Sequence, residues 1–299
     1  MDAVALRLAN LLVGNDEGAA GLEATLGGPT LAFDTEMVVA IGGADLGARV
    51  GEKPLRPWRA TRVEAGGTLE FGSARAGCRA YVAVAGGLDV PLVLGSRSTY
   101  LPARFGGLVG RALRRDDVLV VHSSGAPSRA AATAPRVSAS DAGATIGFRR
   151  IEPSVLPSYG GPVRVVPGEH LALLTPEART RLFDAEFRVT PQSDRMGYRL
   201  AGPPLMLAEP VELLSAGVAF GTVQLPPGSD PIVLMADRQT TGGYPRLGEV
   251  ATVDLPVMAQ LRPGDVVRFA EISLDRAQAL YLERERTIAA LRLALALSP

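Results

Sequence analysis

Hydrophobic and polar residues alternate along most of this chain. The short apolar runs are broken by glycine and proline about every 8–12 residues, the spacing of strands in all-β folds. The alternation begins near residue 30, continues through residues 118–121 and resumes at residues 163–166. A period of two with frequent turn residues is typical of antiparallel strands in a sandwich or barrel. We therefore predict a mainly β fold.

Four segments depart from this period and predict helices. Asp2 and Thr175 are residue types that cap helices, and Thr175 is followed by a proline at the first helical position. We predict a helix that begins after Asp2 and ends at Gly14, a second over residues 17–26, a third that begins at Thr175 and a fourth over residues 273–297.

Two stretches of the chain repeat the same order of short motifs. Residues 91–100 (PLVLGSRSTY) and 231–240 (PIVLMADRQT) each place an apolar run, predicted as a strand, before a turn with an arginine and hydroxyl groups. Domain duplication produces such repeats. Residues 123–135 are small and proline-bearing, which is typical of a linker or surface loop. We predict a first domain over residues 1–125, a linker or loop over residues 126–160 and a second domain over residues 161–299.

Composition narrows the classes of function. The formal net charge is +0 and 47% of the residues are hydrophobic, which gives the chain no general attraction for nucleic acid or an anionic membrane. Lys53 is the only lysine and lies outside any phosphate-loop motif. Cys78 has no second cysteine to pair with, and His122 and His170 lack metal-ligand spacing. No apolar run reaches the roughly 18 residues of a membrane span. We expect a cytoplasmic protein with no nucleic-acid partner, no membrane partner and no metal site.

Three polar clusters could bind an anion: residues 95–100 (GSRSTY), 192–199 (QSDRMGYR) and 236–244 (ADRQTTGGY). Guanidinium, amide and hydroxyl groups donate hydrogen bonds to carboxylates and phosphates, and they can stabilise charge on a carbonyl oxygen. Each cluster alone has a structural alternative, because sequence neighbours such as Asp237 and Arg238 can form an ion pair that closes a turn.

These clusters resemble the family of the 5-oxoprolinase C subunit, which is also described as KipA-like or as allophanate hydrolase subunit 2. The resemblance also includes residues 8–15 (LANLLVGN), 168–170 (GEH) and 260–265 (QLRPGD). The resemblance covers nearly the whole chain. It implies two tandem cyclophilin-like β-barrel domains with a few short helices. Family members usually carry a strand with a Gln-Asp-x-Gly-Arg motif before the first helix. This sequence does not contain that segment, which leaves two alternatives: either the start codon is misassigned, or the first barrel lacks an edge strand.

The resemblance also implies a function. Members that act with the A and B subunits of 5-oxoprolinase convert 5-oxo-L-proline to L-glutamate using ATP. We expect the KipI-like B subunit as the partner, in a heterodimer or heterotetramer, with the A subunit as a second candidate partner. ATP, with Mg²⁺ only as its counter-ion, is expected to be shared with the partner. The alternatives are a carboxyltransferase subunit of a biotin-dependent urea carboxylase and a non-catalytic regulator that binds a KipI-like protein. The sequence lacks a biotinylation motif, which favours the first function.

Residue type and family motif together assign roles within the clusters. Arg97, Arg195 and Arg238 are expected to be catalytic, because they could hold charge on the substrate carbonyl oxygen. The expected substrate-binding residues, which supply hydroxyl, amide or carboxylate groups, are Ser98, Thr99, Asp194, Gln224, Gln239, Thr240, Thr241 and Tyr244.

Overall fold

The protein forms two compact units. The structure is a computed structural model that describes residues 1–122, 136–137, 149–152, 155–156 and 158–297. The N-terminal unit holds residues 2–157 and the chain from Thr287 onward, and the C-terminal unit holds Met1 and residues 158–286. Most of the predicted linker lies outside the described residues, and the predicted domain boundaries stay a prediction.

The described strands of the N-terminal unit form two sheets around one core. One sheet has five strands, in the order β1-β8-β3-β6-β9, and the other has four, in the order β2-β7-β4-β5. The core between them contains Val39, Leu69 and Val82, each no more than 1% exposed. The strands are β1 (Leu22–Thr25), β2 (Leu31–Ala32), β3 (Met37–Asp45), β4 (Arg49–Val50), β5 (Lys53–Pro54), β6 (Ala60–Val63), β7 (Thr68–Glu70), β8 (Ala76–Val84) and β9 (Arg136–Val137).

Helix α1 spans Ala3–Val13 and confirms the first predicted helix. The Asp2 carboxylate accepts a hydrogen bond from the backbone N–H of Ala5 at 2.9 Å, which caps the helix. Gly14 ends it in the left-handed conformation, with φ of 79°. Leu8 and Leu12 pack this helix against β3, β6 and β8.

The predicted helix over residues 17–26 is wrong. Residues Leu22–Thr25 form β1 instead, and Leu22 pairs with Val82 of β8. Gly21 lets the chain approach this closely, because a Cβ there would lie 2.7 Å from Leu6 Cδ1 and 2.8 Å from the Val82 carbonyl oxygen. Pairing with the edge of an existing sheet outweighs the weak helical preference of so short a segment.

Residues 91–100 do not repeat the local structure of residues 231–240. Val93 and Ser96 bridge across a tight turn at Leu94 and Gly95, and Leu94 is 90% exposed. The second stretch contains the strand Ile232–Leu234. The predicted apolar strand in the first stretch is therefore wrong, because Leu94 lies in a turn and is exposed to solvent instead of buried in a sheet.

The C-terminal unit is a closed seven-stranded barrel, which confirms the mainly β prediction in this half. Its strand order is β10-β17-β14-β15-β12-β11-β18, and β10 and β18 close the ring as a parallel pair. Phe187 and Phe269 meet in its core with ring centroids 5.9 Å apart. Its strands are β10 (Val163–Pro167), β11 (Glu186–Val189), β12 (Gly197–Ala201), β14 (Thr222–Gln224), β15 (Ile232–Leu234), β17 (Arg246–Val250) and β18 (Val266–Glu271); a separate two-stranded sheet joins β13 (Ala216–Gly217) to β16 (Thr241–Gly242).

The described residues contain three further α-helices. Helix α2 (Pro176–Asp184) begins as predicted, with the Thr175 hydroxyl accepting from the Ala178 N–H at 3.2 Å. Helix α3 spans Leu255–Gln260. Helix α4 (Leu274–Leu297) confirms the predicted C-terminal helix, and its Ile288 and Leu295 are buried in the core of the N-terminal unit.

Replacing the first cap tests whether α1 depends on it. Asp2→Ala removes the acceptor for the Ala5 N–H, and we expect a loss of about 1 kcal/mol in the free energy of unfolding. Asp2→Asn keeps a side-chain oxygen at the same place and serves as the matched control. Urea denaturation measures both. Equal losses in the two variants would contradict the capping role.

Candidate functional site

The candidate site lies on the outer face of the barrel where β14 and β17 pair. Thr222 lies opposite Glu249, and Gln224 lies opposite Arg246, with a register irregularity between Val223 and Gln224. Val223 is fully buried in the barrel core. Because side chains alternate along a strand, Thr222 and Gln224 point away from that core, as do their partners on β17.

The small β13–β16 sheet covers part of this face. Gln224 is only 2% exposed, and a Cβ added at Gly242 would lie 2.7 Å from the Gln224 Nε2. Glycine at this position of β16 therefore makes room for the amide. Within the described residues, Gln224 Nε2 is buried without a hydrogen-bond partner. An unpaired buried donor costs free energy, so this amide is available to a bound acceptor.

Glu249 is a half-buried carboxyl of the site whose pKa is shifted. The Thr222 hydroxyl lies 2.8 Å from Glu249 Oε1 and 2.9 Å from Oε2. Burial raises the pKa of Glu249 above its usual value, although the Thr222 hydrogen bond and the charges of Arg246 and Arg238 partly oppose that shift. A carboxyl whose pKa is raised by burial and which lies beside cationic groups has the properties of a general acid or base.

Two guanidinium groups influence this carboxyl: Arg246 lies on the same strand, and Arg238 lies in the segment before β16. Arg246 Nη1 donates to the Gly217 carbonyl at 2.9 Å, and its Nη2 donates to Glu169 Oε1. Arg238 Nε donates to the Val218 carbonyl at 3.4 Å. Both cations act on Glu249 electrostatically. The arrangement offers positive charge and N–H donors beside a carboxyl, which is what an oxyanion formed at a carbonyl carbon requires.

His170 holds the edge of the site in place. Its Nδ1 accepts a hydrogen bond from the backbone N–H of Arg246 at 3.2 Å, and its own backbone N–H donates to the Arg246 carbonyl at 3.3 Å. Nδ1 is therefore occupied by the backbone. This geometry favours a structural role for His170 over one as general base.

The structure brings the second and third predicted clusters together. Arg195 donates from Nε and Nη2 to the two carboxylate oxygens of Asp237, at 2.9 and 3.1 Å. The Asp194 carboxylate accepts from the backbone N–H groups of Met196 and Gly197 and closes a turn. The ion pair between Arg195 and Asp237 fixes the segment that carries Arg238 next to Glu249.

The other predicted residues of the third cluster are exposed. Gln239, Thr240 and Thr241 follow Arg238 and lead into β16, and Tyr244 is 44% exposed. Their substrate-binding roles stay a prediction.

The first predicted cluster belongs to the N-terminal unit. Arg97 Nη1 donates to the Val90 carbonyl. Ser98 is exposed, and Thr99 lies against Gly107, where the close approach leaves no room for a side chain. The predicted roles of Arg97, Ser98 and Thr99 stay a prediction.

Sequence reasoning missed Glu249 and Thr222 as site residues. The available signal was a glutamate within the apolar strand sequence Gly248-Glu249-Val250. A charged residue at an isolated strand position usually faces solvent, and only its cross-strand partner reveals the burial.

The described ranges of the chain hold neither a metal cluster nor a membrane-spanning helix. No group of three or more histidine, cysteine, aspartate or glutamate side chains there could hold a metal ion. No helix among those residues has the length and apolar character needed to cross a bilayer.

Similarity to known proteins gives this geometry its context. The family model for the carboxyltransferase domain, subdomain A and B, matches residues 1–271. The chain belongs to this family. It is 37% identical over 288 residues to the 5-oxoprolinase C subunit of Escherichia coli, covering 96% of this chain and 86% of that protein. It is 35% identical over 286 residues to the 5-oxoprolinase C subunit of Haemophilus influenzae, covering 95% of this chain and 85% of that protein.

A solved structure confirms the fold of this family member. The crystal structure of the K. lactis urea amidolyase matches with a TM-score of 0.86 at 29% sequence identity, over 97% of this chain. The chain spans 18% of that protein. The resemblance to the group of 5-oxoprolinase C subunits and carboxyltransferase domains is thus confirmed over nearly the whole chain.

Glu249→Gln tests the burial of the carboxyl. The raised pKa of Glu249 means that ionisation is disfavoured in the folded protein, so wild type loses stability as pH rises through that pKa. The glutamine variant carries no charge. Its melting temperature should exceed that of wild type at about pH 8 and match it at about pH 4, where both side chains are neutral.

Differential scanning calorimetry across this pH range makes the measurement. The matched control is Glu52→Gln, because the Glu52 side chain is 98% exposed. A gain of the same size and pH dependence in the control would contradict the burial argument.

Proposed function

We propose that this chain is the C subunit of an ATP-dependent 5-oxoprolinase, which cleaves 5-oxo-L-proline to L-glutamate together with the A and B subunits. The observation that supports this most is the identity of 35% and 37% to two proteins named as C subunits of 5-oxoprolinase, over 95% and 96% of this chain. The chain is then one component of an amide hydrolase that is active only with its partner.

The geometry around Glu249 suits the opening of a lactam. The ionised Glu249 takes a proton from water as the water oxygen bonds to the lactam carbonyl carbon, and negative charge collects on the carbonyl oxygen. Arg238, Arg246 and the free Nε2 of Gln224 stabilise that oxygen. The carbon–nitrogen bond then breaks, and the proton returns from Glu249 to the leaving nitrogen.

The remaining predicted groups have supporting roles in this proposal. Arg195 is a positioning residue, because its ion pair with Asp237 holds the segment that carries Arg238. Thr240, Thr241 and Tyr244 lie on the exposed side of that segment, where they can contact the substrate carboxylate.

The site does not fit ATP. Arg238 and Arg246 stand beside Glu249 and Glu169, so that the two positive charges are offset by two carboxylates. A polyanionic triphosphate needs an excess of positive charge or a glycine-rich loop of free N–H groups. We assign ATP and its Mg²⁺ counter-ion chiefly to the partner subunits and derive no step through the nucleotide.

A carboxyltransferase function is the second candidate. It is favoured by the family model, which describes a carboxyltransferase domain, and by the K. lactis urea amidolyase structure. The same cations would hold the oxyanion of a carboxyl acceptor such as urea. This function requires a biotin-bearing partner.

The deciding experiment measures ADP release by the chain co-expressed with the A and B subunits. Release should depend on 5-oxo-L-proline, and Arg238→Ala should lower its rate on the order of 10²–10³-fold, the usual cost of one oxyanion donor. The matched control is Arg268→Ala, which removes an exposed arginine of β18 that pairs with Glu186.

Three outcomes would contradict the proposal. Full activity of Arg238→Ala would exclude the site described above. Substrate-dependent carboxylation of urea by the complex with a biotin-bearing partner, without ADP release on 5-oxo-L-proline, would establish the carboxyltransferase function. A tight complex without either activity would leave a regulatory binding protein.

We further propose that residues 91–120 of the N-terminal unit form the docking surface for the KipI-like B subunit. Five large apolar side chains of this segment are at least 60% exposed: Leu92 at 63%, Leu94 at 90%, Val109 at 74%, Val118 at 77% and Val120 at 60%. Exposed apolar side chains concentrated in one segment mark a candidate surface for a protein partner.

Charge and backbone strain in the same segment support a protein partner. The segment contains five arginines and two aspartates and has no lysine or glutamate; they are Arg97, Arg104, Arg111, Arg114, Arg115, Asp116 and Asp117.

The backbone of the segment is strained at four residues that are not glycine. Leu94, Arg104, Val109 and Asp116 have positive φ angles of 50°, 57°, 49° and 68°. Such strain persists where surrounding contacts impose it. Because the segment exposes apolar side chains and has more arginines than aspartates, the facing surface of the KipI-like partner should be apolar with an acidic rim.

Removing the apolar surface should weaken the complex without unfolding the chain. Leu94→Ser combined with Val109→Ser should raise the dissociation constant for the KipI-like partner at least about tenfold, because each exposed side chain would bury apolar area in the complex. Leu214→Ser is the matched control, since Leu214 is 94% exposed in the C-terminal unit.

Isothermal titration calorimetry measures the affinities, and sedimentation velocity tests self-association. Unchanged affinity in the double variant would exclude this surface as the docking site. A homodimer of the chain alone that the double variant dissociates would assign the surface to a second copy instead.

A further inference from the structure

A cavity of about 540 Å³ lies in the N-terminal unit, whereas Glu249 and its neighbours belong to the C-terminal unit. Its volume is within the usual range for small-molecule sites. The end of α1, the following turn, the end of α4 and the segment at residue 149 line it. The charged lining residues are Arg7, Asp16, Glu17, Arg149 and Arg292.

Arg149 is directed inward by strand-like pairing. The Arg149 carbonyl accepts from Ala60 N at 3.1 Å, Arg150 bridges Arg59, and Ile151 N donates to Trp58 O at 3.1 Å. Side chains alternate along such a segment. Arg149 and Ile151 are accordingly buried, at 4% and 5% exposed, whereas Arg150 between them is exposed.

The buried Arg149 guanidinium has no carboxylate partner among the residues that the structure describes. Within the described part of the chain its Nε is buried without a hydrogen-bond partner. Burial lowers the pKa of Arg149, and no carboxylate of the described ranges offsets that shift. A buried cation without a partner is strongly unfavourable, so that an anion bound in the adjoining cavity would relieve the cost.

The other cations of the cavity are already paired. Glu17 Oε2 accepts from Arg7 Nε at 2.7 Å, and Glu17 Oε1 accepts from Arg292 Nη1 at 3.2 Å. These contacts leave Arg149 as the lining cation with no anionic partner among the described residues. The two acids at the cavity limit the negative charge that a ligand can bring.

We infer that this cavity binds a small carboxylate ligand, with the Arg149 guanidinium donating to the carboxylate oxygens. A guanidinium matches a carboxylate as a planar fork of two donors. Three arginines against Asp16 and Glu17 leave one uncompensated positive charge, which suits a singly charged carboxylate better than a phosphate dianion. This inference is independent of the proposed lactam chemistry.

The test is direct binding to the full chain without its partners. The probes are acetate, 5-oxo-L-proline and inorganic phosphate. Isothermal titration calorimetry measures their binding, and the shift in the melting temperature of the protein provides a second readout. We expect saturable binding of at least one carboxylate, with phosphate binding more weakly. Arg149→Gln should weaken carboxylate binding at least about tenfold, the loss expected when one charge-assisted contact is removed.

Stability separates a ligand-binding arginine from a structural one. Ligand-free Arg149→Gln should melt at or above the temperature of wild type, because the variant no longer buries an unpaired charge. Arg149→Lys keeps the charge without the planar fork and should bind carboxylate with intermediate affinity.

Two variants serve as controls. Arg150→Gln changes the exposed neighbour that pairs with Glu152 at 2.7 Å, and it should bind as wild type does. Arg238→Ala disables the proposed reaction and should also leave this binding unchanged. The inference is overturned if neither carboxylate binds saturably, if phosphate binds as tightly, if Arg149→Gln retains binding, or if ligand-free Arg149→Gln is less stable than wild type.

Discussion

The parallel pairing of β10 with β18 is the constraint on which the candidate site depends. It joins Val163 to Phe269 and Val165 to Glu271, and it closes seven strands into a ring. A closed ring leaves no free edge along which a strand can slip. The register of β17 against β14 is therefore fixed, which places Glu249 opposite Thr222. A slip of one residue would turn the Glu249 carboxyl toward the apolar core.

Burial outside the barrel core creates the chemistry of the site. The β13–β16 sheet covers part of the outer face of β14 and β17, so that Gln224 loses water although it lies outside the hydrophobic core. Glu249 on the same face is half-buried. Desolvation raises the pKa of Glu249 and leaves the Gln224 amide unpaired. Arg149 shows the same feature in the other unit, where strand-like pairing buries its guanidinium and no carboxylate among the described residues pairs with it. In both sites, a buried N–H donor without a hydrogen-bond partner among the described residues is available to bind a ligand.

Local sequence signals predicted the parts of the fold that depend on neighbours in the chain. Asp2 and Thr175 cap helices because their side-chain oxygens reach N–H groups three residues ahead, a geometry that needs no other part of the molecule. The same reasoning failed for residues 17–26, where pairing of Leu22 with Val82 decided the conformation. It also failed for residues 91–100, where the strand predicted from the second repeat is an exposed turn.

The sequence by itself determined the mainly β class, the starts of three helices and the family, because period, caps and motif runs are local properties of the chain. It also indicated Arg238 and Gln224 as candidates by residue type. Only the tertiary structure decided that Arg195 pairs with Asp237 and that burial raises the pKa of Glu249. It also decided that Arg149 is buried with no carboxylate partner among the described residues. Burial and pKa depend on which distant segments cover a side chain, and those segments are set by long-range strand pairing.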